Sequence, residues 1–88
     1  MRYQVQIARK ASKELKRLPV RSRETIAERI AMLGHDPDAP SLDVKHLNRH
    51  PKADYRMRVG AYRVLFNRED TIRIIEIVRV AHRKEAYQ

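Results

Sequence analysis

Hydrophobic and polar positions in the first half of the chain follow two different periods. The first eight residues alternate, with Tyr3, Val5 and Ile7 on one side, and this pattern predicts a half-buried strand. Apolar residues then recur three or four positions apart in two runs, which predicts two amphipathic helices. These positions are Ala8, Ala11, Leu15 and Leu18 in the first run and Ile26, Ala27, Ile30, Ala31 and Leu33 in the second. Pro19 separates the runs and Gly34 is placed to end the second, so we expect a short antiparallel helical hairpin.

The middle of the chain and its end lack a regular pattern. Residues 35–52 hold three of the four prolines and few core-forming residues, so they are predicted to form a loop. Val44 and Leu47 could pack from this loop back onto the core. The tail at residues 82–88 is polar with one aromatic residue, Tyr87.

Alternation returns between these two regions. The runs at residues 55–59 and 62–66 flank Gly60 and Ala61, and a glycine at the first central position suits a type II′ hairpin turn. A second turn is predicted over residues 67–71. Residues 72–80 are apolar on both faces, which is typical of an interior strand. The chain therefore predicts a single α+β domain over residues 1–88, in the order β-α-α-β-β-β, with a mainly antiparallel sheet packed against the N-terminal helical hairpin.

The predicted hairpin places three arginines on one face of the sheet. With a two-residue turn, Val59 lies opposite Tyr62 and Arg58 lies opposite Arg63, and directly paired residues point to the same side. The apolar side chains of the hairpin then form the core face, and they are Tyr55, Met57, Val59, Tyr62, Val64 and Phe66. Arg56, Arg58 and Arg63 form the opposite face, which we expect to be exposed to solvent.

Three neighbouring arginines repel one another and do not help the chain to fold. A two- or four-residue loop after the hairpin would place Glu76 opposite Arg63, whereas a three-residue loop would not. One carboxylate does not neutralise three guanidinium groups, so an anionic ligand is the simplest explanation, because a guanidinium group can bind two phosphate oxygens at once. The alternative is a solvated face on a basic protein.

The composition also points to an anionic partner, which would be a nucleic acid or an acidic protein. The 88 residues carry a formal net charge of +9. The absence of cysteine excludes a disulfide scaffold, an iron–sulfur cluster and a cysteine nucleophile. Two glycines are too few for a phosphate-binding glycine loop, and no apolar run approaches the roughly 20 residues that span a membrane. We therefore expect a small cytoplasmic domain without membrane contact.

Two segments carry a recognisable family pattern. The first is Leu47 followed by residues 55–66, YRMRVGAYRVLF, and the second is residues 80–87, VAHRKEAY. Together they resemble the RelE/ParE toxin superfamily, whose pattern is close to YRxRVGxYRVxY followed, after a strand, by HRxxxY. The predicted order of elements is also the family's, so the resemblance covers essentially the whole chain.

The resemblance implies a toxin of a type II toxin–antitoxin system. RelE-like members act in the ribosomal A site and cleave mRNA without a metal ion or other cofactor. The ribose 2′-hydroxyl attacks the adjacent phosphate and leaves a cyclic phosphate and a 5′-hydroxyl. The implied partners are the ribosome, mRNA and an acidic, partly disordered antitoxin that covers the basic surface, in a hetero-oligomer that could bind operator DNA.

The resemblance also implies roles for individual residues. The two basic residues of the second strand match Arg56 and Arg58, which would bind RNA phosphates, and Arg58 also belongs to the implied catalytic set. Arg63 and Arg83 match the arginines that would stabilise the charge developing on the phosphate. Tyr87 matches the terminal tyrosine, which would stack on a base or move a proton.

Proton transfer has few candidates in this chain. Ribonuclease members of the family frequently carry lysine where Arg56 and Arg58 stand, and arginine stays protonated in proteins. Tyr87 and His82 are then the titratable groups placed to transfer protons, while Arg83 supplies charge. Exposed lysines on the first helix would bind further phosphates, and they include Lys10 and Lys13.

Three functions remain open. The first is a ribosome-dependent mRNA endonuclease, the second is a ParE-like toxin that poisons DNA gyrase, and the third is a nucleic-acid-binding domain that cleaves nothing. The arginine set and Tyr87 favour the first, because the gyrase branch does not need them. His46 and His50, four residues apart, lie in a predicted loop with no third ligand nearby, so no metal site is expected.

Overall fold

The computed structural model describes residues 2–87, so Met1 of the predicted first strand and Gln88 of the predicted tail lie outside the described residues. Two helices and five strands follow one another along the chain. They are β1 (Gln4–Ile7), α1 (Arg9–Lys16), α2 (Val20–His35), β2 (Val44–His46), β3 (Tyr55–Val59), β4 (Tyr62–Glu69) and β5 (Ile74–His82). The sheet has the order β1-β5-β4-β3-β2, in which β1 and β5 are parallel and every other pair is antiparallel. The predicted α+β class and the mainly antiparallel sheet are confirmed.

The helical hairpin packs against one face of the sheet, as expected. Ala11 of α1 and three residues of α2 share a buried cluster with the inward side chains of β3, β4 and β5. The α2 residues are Ile26, Ile30 and Leu33, and the strand residues are Met57, Val59, Val64, Phe66, Ile75, Ile77 and Val80. The sheet therefore has one face on the core, and its function must be sought on the other face or at its ends.

The prediction that Gly34 ends the second helix is wrong, because α2 continues to His35. Gly34 is instead a point of close approach between α2 and β1. A Cβ atom at position 34 would lie 2.7 Å from Cγ2 of Val5, and the N–H of Tyr3 donates to the carbonyl of Gly34 at 2.6 Å. The glycine is needed for packing of the helix against the strand rather than for a helix cap.

The prediction of a loop over residues 35–52 misses a strand. Val44–His46 pairs with β3 as the antiparallel edge strand β2, with Lys45 opposite Arg56 and Val44 opposite Met57. Three residues are too few to show alternation in a sequence, so the tertiary pairing alone defines this strand. Val44 does pack against the core, as predicted.

The β3–β4 hairpin has the predicted register. Val59 pairs with Tyr62 and Arg58 pairs with Arg63. Gly60 has a φ of 57°, in the left-handed region, whereas the φ of Ala61 is not positive. A type II′ turn requires a positive φ at its first central position only, so the turn has the predicted type.

The register between β4 and β5 corrects the sequence prediction. The strand β4 extends to Glu69, so the turn comes later than residues 67–71, and a β-bulge shifts the pairing between Leu65 and Phe66. Arg63 therefore lies opposite Ala81, and Glu76 lies opposite Asn67. The Arg63–Glu76 pairing, which a two- or four-residue loop within residues 67–71 would have produced, is therefore not formed. The last strand begins two residues later than predicted and ends at His82, although its interior position is confirmed.

Candidate nucleic-acid interface

Arg58 and Arg63 form a cross-strand pair on the face of the sheet that lies away from the helices. Arg56 lies two residues along β3 and points to the same side. Arg58 is exposed, and Arg56 and Arg63 are half-buried. Within residues 2–87 no carboxylate lies at ion-pair distance from Arg58 or Arg63. Two uncompensated cations therefore stand side by side, as the sequence predicted.

The guanidinium group of Arg63 is held at the hairpin turn. Its Nη1 donates to the carbonyls of Gly60 and Tyr62, each at 3.0 Å. These bonds use one nitrogen of the group and leave its charge uncompensated. The tight turn thus positions the side chain without neutralising it, which is the condition for electrostatic preorganisation toward an anion.

Arg56 has a different environment from its two neighbours. Its Nη1 donates to both the carbonyl and the carboxylate Oδ1 of Asp43, at 3.0 and 2.9 Å, and only 16% of its side chain is exposed. The hydrogen bond from Arg56 lowers the pKa of Asp43, and the positive charges of Arg56, Arg58 and Arg63 lower it further. Asp43 therefore interacts electrostatically with all three arginines, so the three side chains form one positively charged patch.

The start of the tail brings Arg83 to the same turn. The N–H of Arg83 donates to the carbonyl of Ala61 at 2.8 Å, so the β4–β5 ladder continues one residue beyond His82. Arg63 pairs with Ala81, which makes Arg83 its diagonal neighbour across the two strands. Arg83 is exposed and has no ion pair in the described part of the chain. We call Arg58, Arg63 and Arg83 the unpaired arginines.

Residues 83–87 turn back over the end of the sheet. The N–H groups of Glu85 and Ala86 both donate to the carbonyl of His82, at 2.8 and 3.0 Å, which closes one helical turn. Ala86 is fully buried, and the side chain of Tyr87 is 52% exposed. Arg83 and Tyr87 are four residues apart across this turn.

His82 lies on the helical face of β5, opposite Tyr62. The two rings meet edge to face with centroids 5.9 Å apart. Its Nδ1 accepts the N–H of Lys84 at 3.2 Å, so one of its two ring nitrogens is already engaged by the backbone.

Part of the arginine face of the sheet is buried, which the sequence did not predict. Leu65 and Ala81 point to the arginine face, yet both are buried, and so are Ala53 and Ala86 outside the main core cluster. Arg79, in the same strand as Ala81, donates to Glu14 of α1 and to the carbonyl of Glu85. The tail and the loop before β3 thus cover part of a face that alternation alone assigns to solvent.

Lys45 is a further cation that the sequence did not single out. It is exposed on β2 directly opposite Arg56, so it extends the basic surface toward the edge of the sheet. Its position became visible only with β2, since a three-residue strand carries no periodic signal. Lysine on an edge strand also protects against edge-to-edge pairing, which is a structural role that needs no ligand.

The two lysines predicted to bind phosphate, Lys10 and Lys13, lie on helix α1 and not on the strands that carry the arginines. Lys10 lines a cavity of about 220 Å³ together with His50, Lys52, Val78 and Arg79. Lys13 is exposed on α1, beside Arg17. Only the first of them therefore shares a cavity with a residue of the arginine face.

The far end of the arginine face is acidic. Asp54, Glu69 and Glu76 line one cavity of about 400 Å³ with Asn67 and Arg68, and Glu69 ends the strand β4 that contains Arg63. Six residues of strand separate Arg63 from Glu69, which is about 20 Å. The face is thus polarised, and an anionic strand that approached the Gly60 turn would be repelled from the opposite end.

His46 and His50 do not share a helical turn. His46 lies in β2 with its ring against Tyr55, and Nδ1 of His50 accepts the N–H groups of Lys52 and Ala53. Residues 2–87 contain no group of three acidic or histidine side chains suited to a metal ion. Neither helix in this range is long and apolar enough to cross a membrane.

Comparison with known proteins places this geometry in a family. Residues 5–87 match the family model described as the ParE toxin of type II toxin–antitoxin systems, parDE. The chain belongs to the RelE/ParE toxin superfamily. It is therefore a toxin of a toxin–antitoxin system, and the resemblance seen in the two sequence segments is confirmed. No curated protein sequence matches the chain at a significant level.

Solved structures of RelE proteins share the fold over nearly the whole chain. RelE in the RelE–RelB complex from Pyrococcus horikoshii OT3 is 30% identical, with a TM-score of 0.80, and the match covers 98% of this chain and 100% of that one. The RelBE2 complex from Mycobacterium tuberculosis is 28% identical, with a TM-score of 0.78 and 93% and 99% coverage. The isolated E. coli RelE toxin, at 18% identity, 91% and 83% coverage and a TM-score of 0.72, shares the fold alone.

Proposed function

We propose that this toxin is a ribosome-dependent mRNA endonuclease that acts in the cytoplasm. The observation that carries the proposal is the group of unpaired arginines around the Gly60 turn. Arg58 and Arg63 are directly paired, Arg83 is hydrogen-bonded to the same turn, and none has a carboxylate partner among residues 2–87. Cations arranged in this way are best satisfied by phosphate oxygens.

The chemistry requires charge stabilisation rather than a cofactor. The 2′-oxygen of one nucleotide forms a bond to the adjacent phosphorus, and the bond from phosphorus to the 5′-oxygen breaks. One proton leaves the 2′-hydroxyl and one reaches the departing 5′-oxygen. Arg63 and Arg83 stabilise the extra negative charge on the phosphate oxygens during this step, and Arg58 binds a non-reacting oxygen or a neighbouring phosphate.

The remaining site residues have supporting roles. Arg56, Lys10 and Lys13 bind phosphates of the RNA backbone, although for Arg56 the RNA must compete with Asp43. Tyr87 stacks on a base or transfers a proton. Tyr87 directly follows the turn that carries Arg83, and this closeness in the chain favours joint action of the two side chains on one phosphate.

The toxin also requires an antitoxin. The solved relatives from P. horikoshii and M. tuberculosis are complexes of RelE with RelB. A net charge of +9 on 88 residues favours an acidic partner. We therefore propose a cognate acidic antitoxin that binds across this basic surface, in a hetero-oligomer that also binds operator DNA.

Toeprinting of a translated mRNA tests the proposal. The wild-type toxin should give cleavage in the A site, and Arg63→Ala and Arg83→Ala should each reduce the rate about 10²- to 10³-fold, as expected when one charge-stabilising donor is lost. Arg29→Ala, on α2 at the other side of the sheet, is the matched control and should cleave normally. Intact mRNA with the wild-type toxin would contradict the proposal.

Poisoning of DNA gyrase is the second candidate, because the matching family model is described as a ParE toxin. A supercoiling assay with purified gyrase distinguishes the two functions. Gyrase-linked DNA breaks alongside intact mRNA would favour the ParE-like activity. Intact mRNA and intact DNA would leave a domain that binds nucleic acid without cleaving it.

A further inference from the structure

The side chain of His82, at the end of β5, is hydrogen-bonded to the backbone of the tail. A residue that only transfers protons would not need this bond. Nδ1 of His82 accepts the N–H of Lys84, two residues further along the chain, at 3.2 Å. An asparagine or aspartate side chain makes the same i to i+2 bond in an Asx turn, where it fixes the direction of the chain. The ring of His82 therefore acts here as the acceptor that starts a turn.

Three further contacts converge on the same residue. The carbonyl of His82 accepts the N–H groups of Glu85 and Ala86, and its ring packs edge to face on Tyr62. The turn that these bonds close contains Arg83, and Tyr87 directly follows it. The side chain of His82 thus contacts the sheet through its ring and the turn through Nδ1, while its backbone carbonyl closes the turn.

We infer that His82 is a positioning residue, which orients Arg83 and Tyr87 by holding the turn at residues 82–86, and that it is not a proton donor or acceptor in the reaction. Because Nδ1 accepts the Lys84 N–H, that nitrogen is not free to take a proton from the substrate. The ring lies on the helical face with Tyr62, whereas Arg83 follows it on the arginine face. The catalytic part of this inference rests on the proposed ribonuclease function, whereas the structural part does not.

Two variants separate positioning from proton transfer. His82→Asn retains a side-chain acceptor for the Lys84 N–H but has no group that titrates near neutral pH. His82→Ala removes the acceptor and the ring. His35→Ala, at the exposed end of α2, is the control for loss of a histidine.

Amide hydrogen exchange measured by NMR is the structural readout. In His82→Ala, exchange at Lys84, Glu85 and Ala86 should become about five- to tenfold faster, as expected for the loss of one hydrogen bond worth about 1 kcal/mol. His82→Asn should exchange within about twofold of the wild type. Unchanged exchange in His82→Ala would overturn the inference, whether or not the toxin cleaves RNA.

Cleavage of A-site mRNA is the functional readout. His82→Ala should cleave about tenfold more slowly, and His82→Asn should recover most of the wild-type rate. If His82 transferred a proton, both variants would be equally impaired while only His82→Ala lost protection of the tail, and that result would overturn the inference. Absence of cleavage by the wild type would contradict the proposed function, and the exchange data would then decide the positioning role alone.

Discussion

Two groups of arginines on one small sheet differ in what surrounds them. Arg68 and Arg79 are surrounded by acceptors: Arg68 bonds to Asp38 and Asp70, and Arg79 bonds to Glu14. The unpaired arginines around the Gly60 turn have no such partner among residues 2–87. Arg68 and Arg79 expose 13% and 16% of their side chains, so the paired arginines are part of the folded framework.

The contrast shows which charges the fold needs. A partly buried guanidinium group stabilises a structure only when its donors are satisfied, and the carboxylates around Arg68 and Arg79 meet that need. The unpaired arginines repel one another, and none of them has an ion-pair partner among residues 2–87. Their cost in stability is best explained by a ligand.

The largest loss of stability should come from Glu14. Its carboxylate bonds to Arg79 through Oε2, at 2.9 Å to Nη2, and accepts the Val80 N–H through Oε1 at 3.0 Å. The parallel strand β1 ends at Ile7, opposite Ile77, so Glu14 satisfies an edge of β5 that β1 does not reach. Glu14→Ala should lower the free energy of unfolding by about 2–3 kcal/mol, because it removes the carboxylate from a partly buried guanidinium group and the acceptor from the Val80 N–H.

Urea unfolding followed by circular dichroism measures this loss. Glu24→Ala is the matched control, since Glu24 is exposed on α2 and the substitution is identical. The control should change the free energy of unfolding by less than about 0.5 kcal/mol. Equal effects of the two substitutions would show that Arg79 does not need its carboxylate.

Truncating one arginine of each group should change the free energy of unfolding differently, with a loss for the paired arginine and no loss for the unpaired one. Arg68→Met leaves Asp38, Asp70 and the hydroxyl of Tyr3 without their shared donor and should cost about 1–2 kcal/mol. Arg58→Met relieves repulsion across the strand pair and should leave stability unchanged or raise it by up to about 0.5 kcal/mol. Thermal unfolding of both variants gives the comparison directly. A loss of more than about 1 kcal/mol in Arg58→Met would place Arg58 in the framework.

The sequence was sufficient for the hairpin because its register depends only on local rules. A glycine at the first turn position and alternation on both sides fix which residues face each other, so Arg58 opposite Arg63 could be predicted. The partners of Arg68 could not, because Asp38 lies 30 residues away in an irregular segment. The length of β4 was equally invisible: the strand runs to Glu69, so the turn comes late and Glu76 lies opposite Asn67 instead of Arg63.

The candidate site could be predicted only where it depends on local patterns. Its strand residues follow from alternation, and Arg83 and Tyr87 were assigned through a family pattern. Lys45 and the buried Ala81 were missed, since the first depends on a three-residue strand and the second on a tail that folds over the sheet. Short elements and tail contacts depend on tertiary packing, which leaves no period in a sequence.

Acid should weaken the framework and leave the unpaired arginines unaffected. Hydrogen bonds from Arg68 lower the pKa values of Asp38 and Asp70, and a hydrogen bond from Arg56 lowers that of Asp43. Because these pKa values lie below the unfolded value of 3.8, the unfolded chain binds more protons in acid. The free energy of unfolding should therefore be unaffected by these groups above about pH 5 and fall as the pH drops below about 4.

Urea titrations between about pH 2.5 and pH 6 measure this dependence. Arg68→Met should show a shallower fall than the wild type, because two of the three carboxyl groups then titrate near their unfolded values. Arg58→Met should follow the wild-type curve closely. A wild-type slope that Arg68→Met leaves intact would mean that other carboxyl groups control acid unfolding.

The smallest effect should be the salt dependence of RNA binding by individual arginines. Each phosphate contact on a single strand contributes about 0.7 to the slope of log affinity against log salt. Arg58→Ala should therefore reduce the slope by about 0.7, so that the fall in affinity between about 50 and 200 mM salt becomes about 2.5-fold smaller. Arg29→Ala, on α2 away from this face, should leave the slope unchanged. Fluorescence anisotropy with a labelled single-stranded RNA measures these slopes. Equal slopes for all three proteins would mean that Arg58, although its side chain has no ion pair within residues 2–87, does not contact phosphate.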